Sequence, residues 1–176
     1  MSHSKDTVNQ VAAFARRLEM VVNAGLCERF NRPLSDITAL VSIMHCNAFN
    51  IGWLANVLEL THSATVRLVD RMENDGLISR LAKDAKKQVG LSISTKGKKL
   101  AKEILSVRHE LASNLLTPLS AEQMDTLASL ARVTLAGNIE DELAAYKTCA
   151  LCDESGCGAG CPTSEVVSCL PASMRR

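Results

Sequence analysis

The chain has 176 residues, 47% of them apolar and only 3% aromatic, and its formal net charge is +1. This length is enough for one domain plus an appendage, and a core poor in aromatic rings must be built from Leu, Val, Ile and Ala, which favours helix packing. No apolar run reaches the roughly 18 residues that a membrane-spanning helix needs, so an integral membrane protein is excluded.

The N-terminal residues lack the charged and then apolar layout of a signal peptide. We therefore expect a cytoplasmic protein without a membrane association. Thiols stay reduced in that compartment, so the seven cysteines are better explained by metal binding than by disulfide bonds.

The first 75 residues predict four helices. Apolar residues at helical spacing place the first over residues 8–30, and the segment 31–33, with its proline, ends it. Ser35 is expected to cap the second helix, and the third begins at about Ile51. The fourth is capped by Thr61 or Ser63 and runs to Asp75, after which Gly76 supplies a positive φ.

Two short strands follow, at residues 77–82 and 89–94, with a polar, cation-rich hairpin tip between them. A long helix is expected from Thr95 to just before Pro118, and Ser120 with Gln123 has the form of a capping box. The helix that this box opens is expected to run to about Tyr146, with an inner face formed by Met124, Leu127, Leu130, Ala131, Leu135, Ile139 and Leu143.

Four helices, a hairpin and two helices, in this order, predict a mainly α protein: a winged helix-turn-helix with a small β-hairpin wing, flanked by long N- and C-terminal dimerisation helices. We divide the chain into an N-terminal dimerisation helix (1–32), a winged helix-turn-helix domain (33–97), C-terminal dimerisation helices (98–147) and a cysteine-rich, metal-binding tail (148–176).

The charge of the chain is unevenly distributed. Residues 61–102 contain ten Lys or Arg and four Asp or Glu, so this segment carries +6 and the remainder carries −5. A basic segment in a nearly neutral protein indicates an anionic partner at that place.

Three motifs resemble the MarR family of bacterial transcription regulators. They are Leu54-Ala-x-x-Leu58-x-Leu60, then Arg67-Leu-Val-Asp-Arg-Met-Glu73-x-x-Gly76-Leu-Ile78, and Ser92-Ile-Ser-Thr-Lys-Gly97. The resemblance implies a homodimer, its outer helices interlocked, that places two recognition helices on a palindromic operator of double-stranded DNA, as a repressor. It also implies that a small aromatic acid can act as effector.

The fourth helix is the expected recognition helix. One of its faces is apolar and turned to the core, through Thr65, Leu68, Val69 and Met72. The other carries the residues that we expect to contact DNA: His62, Ser63, Val66, Arg67 and Arg71. For Arg71 an alternative is an ion pair with Asp75 or near Glu73.

The wing supplies three further candidates for DNA binding, Lys83, Lys86 and Lys87. The resembling family usually carries an Asp-x-Arg pair here, whereas this chain reads Asp84-Ala85-Lys86-Lys87. Lysine lacks the planar fork of arginine, so contact with phosphate is favoured over readout of the minor groove.

The C-terminal tail carries Cys149, Cys152, Cys157 and Cys161 in the pattern C-x2-C-x4-C-x3-C-P. Clustered thiolates favour soft metal centres. The compact spacing, the interspersed glycines and the final Cys-Pro favour an iron–sulfur cluster, with zinc as runner-up and free thiols as the third alternative. Cys169 is a possible substitute ligand. We expect such a centre to modulate DNA binding through the packing of the dimerisation helices.

Two other roles for cysteine remain open. Cys149 and Cys152 could form the active pair of a thiol-redox enzyme, but that motif normally opens a helix in a βαβ unit, which this chain lacks, so we expect no enzymatic activity. Cys27 and Cys46 are either peroxide-sensing thiols or, the favoured alternative, inert buried residues.

Overall fold

The computed structural model describes residues 4–45, 49–81, 90–157 and 160–169. The elements within these ranges are, in chain order, α1 (Lys5–Phe30), α2 (Leu34–His45), β1 (Phe49–Asn50), α3 (Ile51–Leu58), α4 (His62–Asn74), β2 (Ile78–Arg80), β3 (Gly90–Ile93), α5 (Thr95–Leu116), α6 (Ala121–Ala136), α7 (Glu142–Cys149), α8 (Glu154–Cys157) and α9 (Pro162–Cys169). Helices dominate and the sheet is small, which confirms the predicted fold class. No helix in the described ranges is both long and apolar enough to cross a bilayer.

Side-chain caps fix several helix starts. The Thr61 hydroxyl accepts a hydrogen bond from the amide of Ala64 at 3.2 Å, so Thr61 rather than Ser63 caps α4. The predicted capping box is confirmed: the Ser120 hydroxyl accepts from the Gln123 amide, and the Gln123 side chain accepts from the Ser120 amide.

The expected cap of the second helix is wrong. Helix α2 begins at Leu34, so Ser35 lies inside its first turn. The carbonyl of Pro33 accepts hydrogen bonds from the amides of Asp36 (3.0 Å) and Ile37 (3.2 Å). Proline is held near the helical φ by its ring, and the helix therefore starts directly after it.

The expected single helix from Ser120 to Tyr146 is also wrong. Helix α6 ends at Ala136, and α7 begins at Glu142 with the Asp141 carboxylate accepting from the Ala144 amide at 2.7 Å. The segment between them contains Gly137 and Asn138, which favour turns over helix interior. The proposed domain boundary at residue 147 falls within α7.

The sheet has three antiparallel strands in the order β1-β3-β2. Strands β2 and β3 lie within the two predicted strand segments and pair Ile78 with Ile93 and Arg80 with Leu91. Strand β1 was not expected, because two residues are too few to show an alternating pattern. The hairpin tip lies outside the described residues.

The core is formed by α2, α3, α4, the sheet and parts of α1 and α5. Helix α1 buries only Val22 and Leu26, and its N-terminal half exposes Val8, Val11 and Phe14. Helix α6 buries none of its residues.

Part of the expected inner face of the last helix is exposed in the single chain, whereas Met124, Leu127 and Leu143 are half-buried. Leu130 is 61% accessible to solvent and Leu135 is 36% accessible, whereas Ile139, in the segment after α6, is buried. Within the described ranges, no apolar residue of α6 belongs to the hydrophobic core or packs against it.

Candidate nucleic-acid interface and cysteine site

The inner face of helix α4 is packed in the core. The four residues expected to face the core are all buried: Thr65, Leu68, Val69 and Met72. The Thr65 hydroxyl donates to the Thr61 carbonyl at 3.0 Å, so its one polar group is satisfied inside the helix. The core therefore fixes the rotation of α4, and with it the face turned to solvent.

The first two turns of that outer face carry most of the expected DNA-contacting residues. His62, Ser63 and Arg67 are exposed, and Val66 is half-buried. Their positions are those expected of residues that contact base edges or phosphates, and their role in DNA binding stays a prediction.

Arg71 forms an ion pair, but not with Asp75 or near Glu73, which were the alternatives to DNA contact; the DNA contact itself stays a prediction. Its Nη2 lies 2.8 Å from Oδ1 of Asp36 on α2, a side chain that is only 4% exposed. Asp75 instead pairs with Arg32 at 2.6 Å. Glu73 pairs with Arg80 of β2. Asp36 is 35 residues from Arg71, so no local pattern could show this pair.

The base of the wing is joined by ion pairs to helix α4. Arg80 donates to the carboxylates of Asp70 and Glu73, and its hydrogen bond to Asp70 is the main reason why the pKa of Arg80 is raised above its ordinary value. The three wing candidates Lys83, Lys86 and Lys87 lie outside the described residues, and so does Cys46.

The four predicted metal ligands line one cavity. Its volume is about 400 Å³, and its walls include Cys149, Cys152, Cys157 and Cys161 together with Tyr146, Thr163 and two carboxylates, Glu142 and Glu154. Cys169 is exposed and is not among the lining residues. Within the part of the chain that the structure describes, no three His, Cys, Asp or Glu side chains already stand in a metal-holding arrangement.

Thr163 joins two of the thiols. Its Oγ1 lies 3.0 Å from Sγ of Cys149 and 3.0 Å from Sγ of Cys161, so these sulfurs are no more than twice that distance apart. The side chain is buried, at 4% exposure. The sequence did not indicate a role for Thr163, because its hydroxyl meets the Cys149 thiol only when α9 packs against the end of α7.

The cysteines influence one another's protonation. A hydrogen bond with Cys149 and the nearby Arg108 guanidinium lower the pKa of Cys152 to about 7, against the opposing effect of burial. The same hydrogen bond, together with burial, raises the pKa of Cys149. Burial and the neighbouring Cys161 raise the pKa of Cys157. Cys152 is therefore the first of the three to become a thiolate.

The tail that carries these thiols is tied to the rest of the chain. His45, at the end of α2, has Nε2 2.9 Å from the Cys152 carbonyl oxygen and Nδ1 3.3 Å from Glu154. On α6, Arg132 donates to the carbonyl of Gly160. Sequence reasoning missed His45, because its partners are more than a hundred residues away.

A second cavity of about 890 Å³ lies between α2, α5 and the tail. Its walls carry the bases Lys102, Arg108, His45 and His109, the acids Asp153 and Glu154, and the apolar Met44 and Leu105. Cationic side chains beside apolar ones suit a small organic anion, whose charged and apolar parts would each find a matching wall.

Among solved structures, three similar ones show the fold. A MarR family protein from Bacillus stearothermophilus is 22% identical, with a TM-score of 0.66, and the match covers 76% of this chain and 96% of that one. RV1404 from Mycobacterium tuberculosis is also 22% identical (TM-score 0.63; 79% and 98% covered), and apo MarR from E. coli is 19% identical (0.64; 77% and 98%).

No protein-family model and no curated protein sequence matches the chain. At these identities the structural likeness establishes the fold, so the chain has the winged helix-turn-helix fold of MarR family proteins.

Proposed function

We propose that this protein is a sequence-specific DNA-binding transcription regulator, acting as a repressor. The observation that carries the proposal is helix α4, whose buried face fixes it in the core while His62, Ser63 and Arg67 stand exposed in its first two turns. A helix held in this way, with polar side chains at its start, suits the major groove of double-stranded DNA.

The uncovered apolar surface supports a homodimer on a palindromic operator. Val8, Val11 and Met20 on α1 and Leu130 and Val133 on α6 are each at least half exposed. A second copy that covers these faces would bury them symmetrically and bring two recognition helices to one side of the dimer.

The test of DNA binding starts with selection of duplexes from a random library, followed by titration of the best sequence at several salt concentrations. Arg67→Ala is expected to weaken binding at least about tenfold if Arg67 contacts a base, or to lower the salt slope by about one if it contacts a phosphate. Arg29→Ala, at an exposed site on α1, is the matched control and should bind like the unaltered protein. A protein without salt-sensitive affinity for any duplex would contradict the proposal.

The cysteine cavity supports a ligand set for a metal centre, formed by Cys149, Cys152, Cys157 and Cys161. The spacing favours an iron–sulfur cluster over zinc. A bound iron–sulfur cluster would supply an oxidisable group that senses redox state, whereas zinc would supply a structural cross-link. The chain's own part is to offer Cys152 as the most acidic of the shifted thiols and to hold Cys149 and Cys161 on the Thr163 hydroxyl.

This centre is tested by metal analysis and the visible spectrum of protein purified without oxygen. Absorption near roughly 420 nm with bound iron supports the cluster, and colourless protein with one zinc per chain supports the runner-up. Cys152→Ser should lose the metal, whereas Cys27→Ser, outside the cavity, should keep it. Protein with neither metal would leave free thiols, and a thiol-reductase assay then tests the Cys149–Cys152 pair as an enzyme.

The cavity between α2, α5 and the tail supports a second input, a small organic anion. Lys102 and Arg108 supply positive charge beside the apolar Leu105. An aromatic carboxylate such as benzoate is the probe, and calorimetric titration should show binding that Arg108→Met abolishes. Equal heats for the two proteins would exclude this cavity as the effector site.

A further inference from the structure

We infer that helix α7 connects the cysteine cavity to the recognition helix of the same chain, with Tyr146 as the positioning residue. The inference rests on the proposed metal site and DNA binding, and it specifies how the two communicate. It differs from a route through the dimer helices, because every contact involved lies within one subunit.

One side of α7 faces the cysteines. Ala145, Tyr146 and Cys149 of this helix line the cavity, and Cys152 follows one turn later. A thiolate that binds zinc is held at about 2.3 Å from the ion, which is a much tighter restraint than the hydrogen bonds of a free thiol. Tyr146 precedes Cys149 by three residues and so lies on the same helical face, one turn earlier.

Helix α7 also contacts the helix-turn-helix, and Tyr146 takes part in both contacts. The ring of Tyr146 meets the ring of Trp53 on α3 edge to face, with centroids 5.7 Å apart and planes at 87°. Lys147 pairs with Glu59 at 2.8 Å, an interaction that also lowers the pKa of Glu59. Glu59 lies at the turn between α3 and α4. Its φ is 54°, in the left-handed region of backbone conformation that residues other than glycine rarely adopt.

The segment after α7 is fastened to α2. The Ser42 hydroxyl donates to the carbonyl of Ala150 at 3.5 Å, and His45 lies 2.9 Å from the carbonyl oxygen of Cys152. These contacts hold the segment that follows α7 against α2. A restraint on Cys149 therefore acts on Tyr146, because the C-terminal side of Cys149 cannot move to relieve it. A shift of α7 then displaces Trp53 and the turn at Glu59, which it contacts. Both precede α4, which begins at His62.

The chain contains its own reporter. Trp53 is the single tryptophan of the sequence, and its ring touches Tyr146. Zinc is colourless, so it does not quench by absorption. In the full-length, reduced protein, adding Zn²⁺ to the metal-free form should shift the emission of Trp53 and slow amide exchange in residues 53–62. Unchanged emission and unchanged exchange, despite bound zinc, would overturn the inference.

The decisive measurement is the ratio of operator affinities with and without Zn²⁺. Trp53→Leu breaks the ring contact from the α3 side, and Trp53 is not a lining residue of the cysteine cavity, so zinc affinity should be unchanged. The affinity ratio is expected to fall by about two- to tenfold relative to the unaltered protein. Trp53→Phe keeps an aromatic ring against Tyr146, outside the lining of the cavity, and is the matched control, with a ratio close to that of the unaltered protein.

The outcomes separate the inference from the proposed function. An unaltered protein that binds no zinc, or whose DNA affinity does not change with bound zinc, overturns this inference. If protein purified without oxygen also contains no iron, the proposed metal centre is overturned with it. A zinc-dependent ratio that survives in Trp53→Leu overturns the inference alone. If Trp53→Leu does not fold, as judged by circular dichroism, the exposed pair provides the second test: Lys147→Glu should lower the ratio and Glu59→Lys in the same chain should restore it.

Discussion

Removing the Arg71 side chain should destabilise the protein, because it leaves a buried carboxylate without its cation. Asp36 is 4% exposed, and the Arg71 guanidinium lies 2.8 Å from it while remaining 53% exposed. Breaking a fully buried ion pair costs about 3–5 kcal/mol. Since water can enter from the exposed side of Arg71, we expect Arg71→Ala to lower the free energy of unfolding by about 2 kcal/mol, measured by urea denaturation at pH 7.

Arg67 provides the control for this prediction. It lies one turn earlier on the same exposed face, and no ion pair joins it to another residue in the part of the chain that the structure describes. Arg67→Ala should change stability by no more than about 0.5 kcal/mol while weakening DNA binding. Arg71→Ala combined with Asp36→Asn should recover much of the lost stability. A single Arg71→Ala variant as stable as the unaltered protein would refute the reasoning.

Three further predictions follow from individual contacts. Val11→Lys with Val133→Lys should convert a dimer to monomer in analytical ultracentrifugation, since both sites are exposed apolar positions on α1 and α6, and a persisting dimer would exclude these faces. In reduced, metal-free protein, alkylation of Cys152 should rise with pH as thiolate forms and reach half its maximal rate near pH 7, whereas a midpoint at pH 8.5 or above would contradict the lowered pKa. Gly97→Ala should cost more than about 2 kcal/mol, because a Cβ there would overlap with the Leu77 carbonyl oxygen, and wild-type stability in urea would show that the wing strand moves freely.

Much of the fold could be predicted because its signals are local. Helix α4 shows this: Thr65, Leu68 and Met72 recur at helical spacing, and all are buried as expected. Gly76 follows α4 and has φ 69°, the positive φ that was expected at this position. Errors arose where a local signal was weak, as at Gly137, where the apolar pattern continued past the residues that break the helix.

The candidate site was predictable in composition and not in arrangement. The spacing of the four tail cysteines indicated that they act together, and they line one cavity. Thr163, His45 and Tyr146 could not be found, because each acquires its role from a partner that folding brings close.

The sequence by itself determined the elements that depend on neighbours a few residues apart: the apolar face of α4, the Ser120–Gln123 capping box and the clustering of thiols. Only the tertiary structure decided that Arg71 neutralises Asp36 and that α7 packs between the cysteine cavity and Trp53. The physical reason is range. Helix periodicity and capping act over one turn of chain, whereas burial and charge pairing join groups from distant segments, whose proximity exists only once the core has formed.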